Sequence, residues 1–559
     1  MSQNTSQTKK CAFCGQNFAI TDKEINYYEK ISPTFNGQKY LIPSPKLCPR
    51  DRELRRLTYR NERIMYKRKS SLSGKDIISV YSENSPFKIF TTEEWWADNW
   101  DATFFNKTLD FNKSFFEQFY ALMLDVPRPP LINNKAENSE YCNFADGNKN
   151  CYLLTSGNRN QDSYYDFLVV DCKNTVDSLW CTKCELTYES LDCQNCYNLR
   201  YSQNCENCVD CSFLYNCKGC NNCFLCINLR NQQRNILNKQ YPKEEYEKIM
   251  KEVKGSRSKY QDMLSRFADM KKKFPIRKAN NFIQCENVSG DNIFHSQNMN
   301  HCFDLYDSRD CAYSHDGLNA VDVYDCCFFD GVELCYESTS LIGYGYRFTN
   351  FCRDSYNLFY CDNCHACKNC FGCVGLRNKQ YCIFNRQYSE KEYEELAAKI
   401  IDHMIKTGEW GEFFPPEFSV LSYNETLAYD YFPLTKEQIF KAGWKWNDQA
   451  SPKPIPQKIQ IPDNIKDIDE SICNEVLGCE VTGENYKIIP QELKFYKRMD
   501  IPIPRKSPNT RTKERFLLRN PRKLWARKCA KCGAEIHTSY APDKPETIYC
   551  ESCYLKEVY

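Results

Sequence analysis

Between Val169 and Cys226 every third residue is Cys, Ser, Thr, Leu or Val, and all the cysteines of that stretch fall in this phase. They also recur at twelve: Cys181, Cys193, Cys205 and Cys217 form one series, and Cys172, Cys184, Cys196, Cys208 and Cys220 another. A fixed period is the mark of a repeat architecture. Twelve residues are too few for a pair of helices, so the period predicts a coil of two short strands, the smallest kind of β-solenoid. The inside of so narrow a coil accepts only small side chains. Cysteine packs there as a small hydrophobe, and Ser and Thr satisfy themselves on nearby backbone. Asp or Asn stands at six-residue steps, from Asp192, Asn198 and Asn204 to Asp210, Asn216, Asn222 and Asn228. These residues tolerate the left-handed conformation of a tight corner, so the coil is expected to have two three-position sides with Asn corners.

The pattern returns at Cys352, Cys361, Cys364, Cys370, Cys373 and Cys382. CNNCFLCINLRN from Cys220 matches CKNCFGCVGLRN from Cys367, so the solenoid is duplicated. Its inward pattern resembles the twelve-residue β-helices of some antifreeze proteins, while its surface residues do not. Each copy runs into a charged, helix-favouring stretch led by Tyr241-Pro242 or Tyr388-Ser389, suited to cover the end of a stack.

The two ends of the chain carry a different pattern. Cys529-x2-Cys532-Gly533, then Cys550-x2-Cys553, is the spacing of a four-thiolate zinc ribbon, closed to substrate and therefore structural. Cys11-x2-Cys14-Gly15 with Cys48-Pro49-Arg50-Asp51 resembles a treble clef, in which a helix N-terminus supplies the second ligand pair. Asp51 stands where a cysteine is usual, and either ligates the metal or caps the helix. About two zinc ions are expected.

Each end also contains a degenerate copy of the other's finger. Aligned without gaps, Ser70, Ser73, Thr91 and Glu94 fall on the four ligand positions of the C-terminal ribbon. Cys479, Thr482, Ser507 and Thr510 fall on those of the N-terminal finger, and both copies are expected to persist as metal-free hairpins.

The fold class expected is mainly β and multidomain, a duplicated β-solenoid of twelve-residue coils flanked by zinc-ribbon and treble-clef-like modules, with a few short α-helices. The divisions are a two-finger module over 1–97, an aromatic helical connector over 98–139 and the first solenoid with its capping helix over 140–253. A basic helix and linker over 254–281 leads to the second solenoid over 282–402. An aromatic connector over 403–450, a Pro-rich linker over 451–472 that frees the last module to move, and a second two-finger module over 473–559 complete the chain. Ser114 and Glu117 form a capping-box pattern ahead of Phe115, Phe116, Phe119 and Met123. Trp95, Trp96 and Trp100 are expected to pack on the first coils.

This layout resembles the cysteine-rich multi-zinc-ribbon repeat proteins of uncultivated, small-genome bacteria. The resemblance rests on RNERIMYKRK, EEWWADNWD, FFEQF, GEWGEFFP, YNET, ELKFY and TSYAPDKPETIYCESCY, and it implies no activity.

Charge adds a partner. The formal net charge is +2, yet the stretches Arg50 to Lys69 and Lys494 to Lys531 carry +6 and +12, leaving about −16 for the rest. Basic fingers on an acidic middle suit phosphate contacts, with Arg60, Arg63, Arg68, Arg519, Arg522 and Arg527 as the contacting residues. The leading expectation is a non-catalytic zinc scaffold that binds RNA or DNA. The bland alternative is that these arginines are neutralised by the chain's own acidic solenoid, which leaves a protein-interaction scaffold built on the solenoid face. A thiol-rich metal or redox protein is a third reading.

Enzyme chemistry has little to stand on. Six histidines, no metal-protease motif and no phosphate loop are present. His295, His301 and His315 are expected to be surface residues rather than a mixed Cys/His site, and His365 to point outward. The first ten residues lack an apolar core and no membrane span is present, which together predict a cytoplasmic protein with reduced thiols.

Overall fold

A computed structural model describes residues 5–253, 255–448 and 454–558. Strands predominate, but the described residues include twelve α-helices, more than the few expected. Two cysteine-rich repeats form a seven-stranded and an eight-stranded sheet, each parallel except for the final pair. Successive strands pair at an offset of twelve: Lys173 opposite Glu185, Glu185 opposite Tyr197, Tyr197 opposite Val209. Pairing is not confined to one side of a coil. Gln161 bridges Lys173, Tyr164 Val176, Phe167 Leu179 and Val170 Thr182, so every triplet of a coil meets its counterpart in the next.

The corner expectation is corrected by the backbone. Left-handed residues come every three positions, not every six, so a coil has four corners rather than two. Asn174, Asp177, Trp180, Lys183, Leu186, Glu189 and Asp192 all have φ between 48° and 56°. Asn and Asp adopt this conformation readily; for Trp180 or Leu186 it costs about 1–2 kcal/mol. Hydrogen bonding between coils offsets that cost. In the triplet Lys173-Asn174-Thr175, the first N–H donates forward to Cys184 O (2.9 Å) and the second backward to Gln161 O (2.9 Å).

The third N–H of each triplet is left to the interior, and this explains the interior composition. Cys172 N donates to Asn160 Oδ1 (2.9 Å), Leu214 N to Ser202 Oγ (3.0 Å) and Cys367 N to Ser355 Oγ (2.9 Å). Sulfur serves the same way, with Cys184 N on Cys172 Sγ (3.4 Å) and Cys223 N on Cys211 Sγ (3.3 Å). The thiols in turn donate to carbonyls, as Cys211 does to Val209 O (3.1 Å) and Cys220 O (3.6 Å). Interior positions therefore want a small side chain that also accepts and donates. No cysteine of the repeats is joined in a disulfide. Burial pushes Cys142, Cys302 and Cys335 up to about 12, which keeps them protonated and unreactive.

Two places in the second repeat drop a residue. The offset passes from eleven at Val288–Met299 to twelve at Gly290–Cys302, and from eleven at Ile342–Arg353 to twelve at Gly343–Ser355. Gly290 and Gly343 have φ of 144° and 139°, and a Cβ on either would lie within 1.7 Å of Cys302 O or 2.5 Å of Ser355 O. Only glycine fits both the angle and the space.

Each repeat ends in an antiparallel hairpin and then a helix, Lys243–Val253 or Glu390–Thr407, as the sequence suggests. The helix Arg257–Lys273 packs Tyr260 and Phe267 against Tyr201 and Phe213. The helix Phe115–Asp125 is capped differently from its expected box: Ser114 Oγ accepts from Glu117 N, but the carboxylate that accepts from Phe115 N and Phe116 N is Glu409. Trp95 and Trp96 pack not on the first repeat but around His365 of the second, at 5.5 and 5.1 Å. His365 does point outward, and burial under these rings lowers it to about 3. The two repeats lie beside one another, with Phe144 stacked on Phe351 at 4.9 Å. Part of the Pro-rich linker, 451–453, lies outside the described residues.

Candidate metal centres and the arginine clamps

Four hairpins of the end modules turn through the same knuckle. In the first, Cys11 N donates to Gln16 O (2.8 Å) and Gly15 N returns to Cys11 O (3.0 Å); in the last, Cys529 N donates to Ala534 O (2.8 Å) and Gly533 N to Cys529 O (2.9 Å). The degenerate copies keep it, with Ser70 N on Lys75 O (2.8 Å) and Cys479 N on Glu484 O (2.9 Å). Gly15, Gly74, Gly483 and Gly533 close these turns at φ of 73–76°.

Two of the four knuckles carry metal-competent groups, those the sequence indicated. Cys529, Cys532, Cys550 and Cys553 form one, and Cys11, Cys14, Cys48 and Asp51 the other, with ligand atoms in each within 4.8 Å of one another. Cys14 Sγ lies 3.8 Å from Cys48 Sγ, and Cys532 Sγ 3.8 Å from Cys550 Sγ. Asp51 is buried on the first turn of the helix Pro49–Leu57, accepting from Cys11 Sγ at 3.0 Å. In each finger a backbone N–H reaches the leading sulfur, Cys48 N to Cys11 (3.3 Å) and Cys550 N to Cys529 (3.2 Å). Burial opposes ionisation of Cys529, but the N–H groups of Cys550, Cys532 and Lys531 bring it down to about 6. Among the described residues no other group of this kind occurs, and none lies inside the repeats. His295 sits beside Asp307, His301 beside Asn300, and His315 is buried between Glu53 and Asp316.

The degenerate knuckles gather the same four positions without a metal-binding set. Glu94 accepts from Thr91 N (2.8 Å) and is bonded by Ser70; these hydroxyl and backbone donors, against partial burial, hold its carboxyl below the usual range. In the other, Cys479 Sγ lies 3.3 Å from Thr510 Oγ1, and Ser507 Oγ 3.0 Å from the same hydroxyl. Burial would raise Cys479, but hydrogen bonds from Thr482, Thr510 and Ser507 bring it to about 6.

The six arginines read for phosphate are placed differently from that expectation. Arg60 is 3% exposed, sandwiched between Phe144 and Phe328 at 3.6 and 3.7 Å and bonded to Glu62, Ser340 and Ser156. Arg63 pairs with Asp430 (2.8 Å), and buried Arg68 donates to Ser82 O (2.9 Å). Arg519 lies 3.8 Å over Trp180 and bridges Asp192 of the first repeat to Asp304 of the second. Arg522 meets Asp316 and Glu53, with its guanidinium over Tyr431. Like Arg68, Arg527 bonds only backbone, Ala541 O at 3.1 Å, and neither has a carboxylate partner among the described residues.

The residues that sequence reasoning missed are the acidic columns these modules grip. Arg52 pairs with Asp325 (2.9 Å), and Arg56 with Asp325 (3.5 Å) and Glu337 (3.6 Å). In the other half Arg511 pairs with Asp177 (2.9 Å), and Arg515 with Asp177 (3.0 Å) and Glu189 (3.3 Å). Both clamps use arginines four apart on the helix after a knuckle, Pro49–Leu57 or Pro508–Leu517, and acids twelve apart on adjacent coils. The connections cross: the N-terminal helix grips the second repeat and the C-terminal helix the first. The twelve-residue spacing of acids was present in the sequence as a signal, but only the fold says which column faces a module. No helix is long and apolar enough to cross a membrane among the described residues. Comparison with known proteins finds no family model that matches this chain and no similar curated protein.

Proposed function

We propose that this protein is a non-catalytic scaffold, in which two zinc-stapled end modules lock a pair of closed β-solenoids into one body whose free faces take protein partners. The observation that carries this reading is the use of the arginines: four of the six expected to meet phosphate are paired with carboxylates within the molecule. Pairing at all four triplets of a coil supports a closed solenoid. Zinc is supported by the sulfur spacing, since Zn–S bonds of ~2.3 Å in a tetrahedron require S···S edges of about 3.8 Å, the separation found at both sites. The four ligands leave no position for substrate, so the metal's part is to fold the finger. One free face runs along the first repeat, where Lys173, Lys183, Asn195, Tyr197 and Asn207 are exposed.

Nucleic-acid binding is the second reading, favoured by one observation: Lys523, Arg527 and Lys528 of the C-terminal ribbon have no carboxylate partner among the described residues, and Lys523 lies 5.1 Å from the Trp525 ring centroid. The test is binding of reduced protein to mixed RNA and duplex DNA across a salt series. Steep salt-dependent binding abolished by R527E/K528E overturns the scaffold reading in favour of nucleic acid. Absence of binding at low salt supports the scaffold, for which Y197R/N207R should then abolish capture of a partner while leaving the fold intact.

A further inference from the structure

The two repeats open on equivalent edges, and each edge is covered by one strand of an end module. Ahead of the first repeat Ile89 pairs in parallel with Arg128. Ahead of the second, Thr547–Tyr549 pairs with Ile276–Lys278, placing Ile548 opposite Arg277. Both covering segments are tied to their own knuckle alike, Ser71 N to Ile89 O (2.7 Å) and Ala530 N to Ile548 O (2.9 Å).

What holds the covering finger differs. Over the first edge it is the metal-free set, in which Ser70 and Thr91 are buried and hydrogen-bonded to Glu94. Over the second edge it is the four-cysteine set, and the covering strand runs directly into Cys550. There Cys532 is exposed and Cys550 and Cys553 are half-buried, whereas Cys11, Cys48 and Asp51 of the N-terminal set are all buried. Every bond that closes the second edge comes from this finger: Thr547 N to Pro275 O (3.0 Å), Ala279 N to Tyr549 O (2.9 Å), Thr538 Oγ1 to Ala279 O (2.6 Å), and Lys278 to Glu551 (2.6 Å). This finger lacks the hydrogen-bonded set of Ser70, Thr91 and Glu94 that holds its metal-free counterpart, so its knuckle and covering strand depend on the metal.

We propose that metal at Cys529, Cys532, Cys550 and Cys553 is a latch: withdrawing it uncovers the opening edge of the second repeat and leaves the first covered. The proposal rests on the reading of this cluster as a metal site. The freed segment, 276–279, exposes unpaired N–H and C=O groups of the kind that accept an added strand.

The test is hydrogen exchange of the full chain, with metal content measured in parallel, before and after zinc-selective chelation. Exchange at 276–279 should quicken about tenfold or more together with 525–558, while 126–130 stays protected. The Thr547→Pro variant, which removes the N–H bonded to Pro275 O, should quicken 276–279 with metal retained. Unchanged exchange at 276–279 after the metal has left overturns the latch and leaves the metal site standing. A cluster that never holds metal overturns both, and equal loss of protection at the two edges overturns the asymmetry on which the latch depends.

Discussion

Replacing Cys211 separates two accounts of the repeat interior. If cysteine is there only as a small hydrophobe, Val or Ala should serve better than Ser. The geometry requires the opposite, because Cys211 Sγ accepts the N–H of Cys223 (3.3 Å) and donates to Val209 O and Cys220 O, and the residue is 1% exposed. Ala would strand a buried N–H, at about 1–3 kcal/mol, and leave a sulfur-sized void worth roughly 1 kcal/mol. Ala should therefore cost about 2–4 kcal/mol. Val fills the void but still strands the N–H and adds a branch in a narrow interior, so it should cost at least as much as Ala. Ser keeps the acceptor and should cost about 1 kcal/mol, mainly for lost sulfur contact. Chain-wide unfolding of a protein with several modules is not two-state, so the assay is native-state hydrogen exchange of coils 209–226 under reducing conditions. If Ala or Val matches the native protein while Ser is markedly worse, the hydrogen-bond account of the interior is wrong.

The degenerate knuckle at Cys479 should regain a metal: T482C/S507C/T510C is expected to raise the zinc content by one ion per chain, read by elemental analysis, and no gain would mean that the knuckle geometry is not preserved. Asp325→Ala leaves Arg52 and Arg56 buried without a carboxylate they share, and should cost about 3–5 kcal/mol in local opening of the N-terminal helix, seen as faster exchange over 49–57. Burial raises Glu492 to about 7 against the pull of Arg511, and Asp192 to about 7 against that of Arg519. A carboxyl raised in the folded state stabilises it below the ordinary carboxylate pKa and loses that contribution as pH climbs through about 7. Docking of the C-terminal module should thus weaken from pH 5.5 to 7.5, by up to about 1.4 kcal/mol per pH unit for each group; protection at 490–517, taken relative to the base-catalysed intrinsic rate at each pH, that is flat or grows with rising pH refutes this.

The repeat period, the duplication, the capping helices and both metal-competent sets were legible because each is written as spacing along one short segment. Knuckles need only local residues, and Asp51 could be placed because a helix start fixes which side chain faces the cysteines. The corner at every third residue was not legible, because Trp180, Lys183 and Leu186 adopt a conformation that their own chemistry disfavours and that only hydrogen bonding between coils sustains. Nor was the fate of Arg519 or Arg522. Net charge identifies a basic segment, but the acid that meets each guanidinium lies hundreds of residues away on a coil face, and sequence carries no record of which face is covered.

The crossed clamps constrain the order of events in synthesis. The helix Pro49–Leu57 finds Glu337 only about 280 residues later, an interval of roughly 15 to 55 s at ribosomal rates. Until then its guanidinium groups lack their carboxylates, and Asp177 and Glu189 equally await Arg511 and Arg515. A chain interrupted after the first repeat would therefore carry an unanswered arginine helix and an unanswered acidic column together. Two such truncated chains offer each other what the missing half would have supplied, so premature termination should yield a reciprocal pair rather than an inert fragment.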